Sequence, residues 1–161
     1  MVNPSTEPIT ELILQDLEAA VASISQTHPT VEYWTDIAQV VRRDAGDPTI
    51  NVYPTVIVTI DGNEVSDDLD SGFNSLNTEN LMVMLEVQMK SYVDVALLHQ
   101  HVIRDVRTAI MQDPTRGGIA IHTFVESTKS WYPTATDPLT IVDINIRVAY
   151  RTHVGDLEMA G

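Results

Sequence analysis

The chain has 161 residues, a length that suits one domain and a core burying roughly 70% of the unfolded surface. It contains no cysteine, which excludes disulfides, cysteine-zinc sites and thiol nucleophiles and fits assembly in a reducing compartment. With 23 acids against 9 bases the formal charge is −14, so the bulk surface repels phosphate backbones; solubility is the plainest purpose of that charge.

No stretch approaches the roughly 20 apolar residues of a membrane span, and the opening MVNPSTEPITEL carries neither the basic nor the apolar region of a cleaved signal. A soluble, unprocessed chain is expected. The first element is a helix, with Thr6 as a candidate cap, Glu7 suited to the N-terminal dipole and Pro8 in the first turn. Its apolar face is Ile13, Leu17, Ala20, Val21 and Ile24, and His28-Pro29 should end it. Residues 35–43 alternate as a strand, and Asp44-Ala45-Gly46-Asp47-Pro48 reads as a turn.

Residues 51–61 form the next strand, rich in β-branched side chains and closed by Asp61-Gly62. A long solvated loop is expected over 61–80, where six acids meet no lysine or arginine. Residues 81–90 alternate cleanly, with Leu81, Val83, Leu85, Val87 and Met89 on one face. Ser91, three residues before Asp94, offers a capping box for a second helix. The stripe of that helix is Val95, Leu98, Val102, Val106 and Ala109, and Asp113-Pro114 with Gly117-Gly118 stops it. A strand from 119 to about 127, extending toward Trp131, and a last strand over 139–153 complete the chain. We found no repeat and no linker, so a single domain over 1–161 is expected, with a frayed tail at 156–161. The order α-β-β-(loop)-β-α-β-β predicts an α+β fold: a two-layer, largely antiparallel or mixed sheet with two helices on one face.

A search for chemistry finds no GxSxG, Walker, GxGxxG or HExxH pattern, and Gly117-Gly118 precedes a strand, not a helix. No catalytic residue, cofactor or metal is therefore assigned, and the protein is not expected to be an enzyme. His99 and His101 are two apart on a helix and point about 200° apart, so surface or interface histidines are the default reading. Asp67, Asp68 and Asp70 have a calcium-like composition without the spacing of an EF-hand. Arg104 and Arg107, with Asp105 between them, read as a solvated or ion-paired face. Tyr33-Trp34 and Trp131-Tyr132 fit core plugs and contact anchors equally.

Several strings taken together resemble the tail-terminator (tail-completion) proteins of long-tailed bacteriophages. They are ITELILQDLEAAVASI, VVRR, YPTVIVTIDG, LMVMLEVQM, VALLHQHVIRDVRTAIMQD, PTRGG and LTIVDINIRVAYRTHVGD, spread over residues 7–156. The resemblance lies in order and pattern, not in one diagnostic motif. It implies a structural virion protein, assembled in the host cytoplasm, that forms a hexameric ring at the head-proximal end of the tail tube. Such a ring stops tube polymerisation and joins the tail to the head or neck, while genome DNA passes through it without specific binding. The implied partners are further copies of the chain, the tube protein and a head-completion or neck protein. The 61–80 loop, with Asp67, Asp68, Asp70 and Phe73, and the 128–138 region, with Trp131 and Tyr132, are the expected subunit or tube contacts. Another neck or head-completion protein is a rival reading, and a ferredoxin-like small-molecule-binding domain is a more distant one.

Overall fold

A computed structural model describes residues 8–44, 46–65 and 76–153. The elements are α1 (Ile9–Ala22), β1 (Gln39–Arg42), β2 (Thr55–Val65), β3 (Leu76–Lys90), α2 (Val95–Met111), β4 (His122–Trp131) and β5 (Leu139–His153). The strands form one five-stranded sheet in the order β1-β2-β3-β5-β4, parallel between β1 and β2 and antiparallel elsewhere. This is the expected α+β fold, a mixed sheet with its helices packed on one face. No helix among the described residues is long and apolar enough to cross a membrane.

The centre of the sheet is the β3–β5 pair, in unbroken register from Leu76↔His153 to Lys90↔Leu139. Strand side chains alternate between faces, so this register sends Leu81, Val83, Leu85, Val87 and Met89 to the side of Val142, Ile144, Ile146, Val148 and Tyr150. All of these are buried, under Ile9, Ile13, Leu14, Leu17 and Val21 of α1 and Val102, Val106, Ala109 and Ile110 of α2. Arg42 ties β1 to α1: its Nη1 lies 2.7 Å from Glu11 Oε2 and its Nη2 lies 2.5 Å from Glu18 Oε1.

Several boundaries differ from the sequence expectation, mostly through contacts that local pattern does not carry. Helix α1 ends at Ala22 instead of reaching His28-Pro29. There Ser23 Oγ donates to Ala20 O at 2.6 Å, and Asp36 Oδ1 accepts from Gln26 N at 2.8 Å, drawing the chain out of the helix. The candidate cap Thr6 lies outside the described residues, and Pro8 occupies the cap position without a side-chain bond. Strand β1 has four residues, not nine, because Asp105 captures the start of the expected strand. Its Oδ2 accepts from Trp34 N (2.9 Å), Thr35 N (2.8 Å) and Thr35 Oγ1 (2.7 Å).

The second strand starts later and runs further than expected. Pro54 has no N–H for the ladder, so pairing begins at Thr55. Asp61-Gly62 does not close the strand. It is absorbed as a bulge between Ile60 and Gly62, and pairing continues to Val65↔Glu79. Residues 61–65 and 76–80 of the expected loop are thus strand, and Asp67, Asp68, Asp70 and Phe73 lie outside the described residues. The capping box at α2 does not form: Ser91 Oγ accepts from Val93 N at 3.1 Å, and Asp94 stands in a left-handed conformation (φ 47°) with no side-chain cap bond.

Arg104, Asp105 and Arg107 are expected on a solvated or ion-paired face; Asp105 is fully buried, with Arg104 Nη1 3.8 Å from its Oδ1. Removing its carboxylate leaves a buried N–H, a part-buried N–H and a buried hydroxyl unpaired, so Asp105→Ala is expected to lower stability by about 3 kcal/mol. Urea unfolding measures this, and a loss below about 1 kcal/mol contradicts the role given to Asp105.

Candidate interaction surface

The helices cover one face of the sheet; on the other, Ile57 is buried beside Pro48, Ile50 and Tyr53, while Met82, Met84, Glu86, Asp143, Asn145 and Arg147 are half-buried. Register places Val41, Ile57, Glu86, Asp143 and Lys129 in one row across that open face, from β1 to β4. Glu86 and Asp143 are therefore direct cross-strand neighbours of like charge, a pairing that costs stability unless cations flank it. Cations do flank it. Arg43 Nη2 lies 3.7 Å from Glu86 Oε2, and Lys129 stands opposite Asp143. Arg43 also pairs with Asp47 and donates from Nε to Thr59 Oγ1 at 3.3 Å, while Gln88 Nε2 donates to Glu86 Oε2 at 2.7 Å.

Burial pushes the Asp143 carboxyl above its usual range, and the Glu86 and Asp61 charges push the same way; Lys129 and Arg43 oppose this. Its Oδ1 is buried and has no hydrogen-bond partner among the described residues. Beside the row lies a recess of about 520 Å³ whose walls include Arg43, Asp47, Tyr53, Ile57, Glu86 and Gln88.

The next two rows hold half-buried Met84 and Met82, facing Asn145 and Arg147. The Arg147 guanidinium sits 4.0 Å from the centre of the Phe124 ring, and its Nε donates to Glu126 Oε1 at 2.5 Å. Lys129 Nζ lies 4.9 Å from the Trp131 ring. Cations spread over aromatic rings beside methionines give a surface of mixed polarity, suited to contact with another macromolecule.

Trp131 and Tyr132 are 41% and 59% exposed, but they do not act as one anchor. Trp131 belongs to the open face, opposite Ile141, whereas Tyr132 stacks on His99 at 5.0 Å. Tyr33 and Trp34 divide as well, Tyr33 buried and Trp34 exposed with His101 stacked on it at 4.4 Å. His99 corrects the surface reading: it is buried against the Thr140 hydroxyl, and burial lowers its pKa. No group of three potential metal-binding side chains occurs among the described residues.

Two important residues escaped the sequence reading. Asp105 lies three residues from Val102 and four from Ala109, so a polar residue on an apolar stripe was the available signal. Arg116 is almost wholly buried in the turn after α2, 3.0 Å from Asp16 of α1, and it donates to the carbonyls of Ile110 and Asp113. Nothing in PTRGG announces this.

No protein family and no curated protein matches the chain. Among solved structures, a chain of a "virion of native gene transfer agent (GTA) particle" is similar over 90% of this chain and 92% of that one, with 10% identity and a TM-score of 0.42. A likeness at that level decides neither fold nor function.

The raised Asp143 pKa fixes the sign of a pH effect. The folded state holds this proton more firmly than the unfolded chain does, so ionisation costs stability above the folded value and nothing below the unfolded one. Asp143→Asn is thus expected to raise the melting temperature at pH 7, with the gain gone below about pH 4. An unchanged or lower melting temperature at pH 7 contradicts this account of the row.

Proposed function

We propose that the chain is a structural virion protein of tail-terminator type. Copies of it form a ring at the head-proximal end of a tail tube, stop the tube's polymerisation and provide the surface that joins tail to head or neck. On this reading it works by assembly and not by catalysis, and needs no cofactor. Its partners are further copies, the tube protein and a head-completion or neck protein, with genome DNA passing through the ring.

The observation that carries the reading is the open sheet face. The chain uses both helices on one side of the sheet and leaves cations, aromatic rings and methionines on the other. Exposed aromatic and arginine-rich surfaces are typical of contacts between proteins. The resemblance of the sequence strings over residues 7–156 to tail terminators adds to this reading. The net charge of −14 suits a protein past which DNA moves without adhering. The ferredoxin-like alternative has less support, because α-β-β-β-α-β-β is not the β-α-β-β-α-β order of that fold.

The test is to disrupt the reading frame in the genome that encodes it and to measure the particles produced. Overlong, unjoined tails are the expected result. Tails of normal length that fail to join would favour a neck or head-completion role, and normal infectious particles would refute the proposal.

A further inference from the structure

The two edges of the sheet are unlike, and their differences match. On one side β4 pairs only with β5, leaving its outer edge unpaired among the described residues. Arg107 of α2 flanks that edge and forms no ion pair among the described residues, whereas Lys129 of β4 is turned to Asp143 and Trp131 on the open face. Arg107 and exposed Met111 and Phe124 line a groove of about 230 Å³ between α2 and β4, and exposed Ile121 stands just before β4. The acid on this strand, Glu126, is already engaged by Arg147.

On the opposite side β1 covers β2 only over Thr55–Val58, so among the described residues β2 is an outer edge from Thr59 to Val65. This stretch exposes Ile60 (50%) and Val65 (57%). It carries Asp61 and Glu64, both exposed and without an ion pair among the described residues. The nearby cation, Arg43, is held by Asp47 and Glu86.

We propose that the α2/β4 edge of one copy docks on the 59–65 edge of β2 in a second copy, head to tail. Both edges bring apolar side chains, and their free charges are opposite. Docking like edges would set Arg107 against itself, or Asp61 and Glu64 against themselves, so charge disfavours the two-fold arrangements. The bulges at Ile60/Gly62 and Val125/Ser127 also twist each edge away from flat pairing with its own copy. A heterologous contact leaves one free edge of each kind at every step, and closes into a ring when the rotation per copy allows. This names the subunit contact of the proposed ring and rests on that reading for its biological role; the contact itself stands on the two edges.

A charge swap tests it by sedimentation velocity at low and high salt. The wild-type chain should self-associate, less so as salt rises. R107E and D61K/E64K should each weaken self-association by about tenfold or more. Mixed in equal amounts they should assemble again, because intact edges meet intact edges and reversed edges meet reversed edges. Circular dichroism and a melting temperature near wild type establish that each variant is folded. A monomeric wild type at high concentration, variants that assemble like wild type, or a mixture that stays dissociated would each overturn the contact. Recovery in the mixture, together with normal tails from the disrupted genome, would keep the contact and reject only the virion role.

Discussion

The register of β3 against β5 is the constraint on which the rest of the molecule depends. These strands run antiparallel for their whole length, from Leu76↔His153 to Lys90↔Leu139, and a slip of one residue would turn every side chain to the wrong face. Burial under α1 and α2 holds the register, since Leu85, Val87, Ile144 and Ile146 cannot be exchanged for Glu86, Asp143 and Asn145. The same register that builds the core therefore sets Glu86 beside Asp143 on the open face. Core and surface row come from one alternation and cannot be varied separately.

Around that centre, buried polar groups fix the parts that strand pairing does not reach. Asp105 holds the segment before β1 against α2, and Arg116 joins the end of α2 to Asp16 of α1. Arg42 does similar work between β1 and α1 in a more exposed place, where Glu11 is held below its ordinary pKa chiefly by its hydrogen bond from Arg42. Buried charges are retained only with partners, so each of these sites specifies where an element sits as well as stabilising it.

The same distinction explains what could be read from the sequence. Strand β5 was legible over its full length because one of its faces is buried from end to end, which writes a period of two into the chain. The first residues of β3 were not. Asn77, Thr78, Glu79 and Asn80 are polar on both faces where the sheet extends, so they resemble a loop. The ends of α1 and β1 depend on Asp36 and Asp105, the latter 70 residues from Thr35, and no local pattern encodes such a bond. At the candidate surface, Trp131 and Tyr132 were found by residue type, yet only backbone pairing showed that they serve opposite sides of the sheet. The Glu86–Asp143 row is invisible until β3 and β5 are placed side by side.

One face is closed by helices, the other carries spread cations and aromatic rings, and the edges differ in charge; these suit a subunit whose work is done by neighbours fitted to its surfaces. The most direct test of that claim is the native mass of the purified protein, alone and mixed with tail tubes from the particle its genome encodes. The account predicts a closed ring of copies that binds tube ends and adds no mass along their length. A monomer that stays a monomer and ignores the tubes would contradict it.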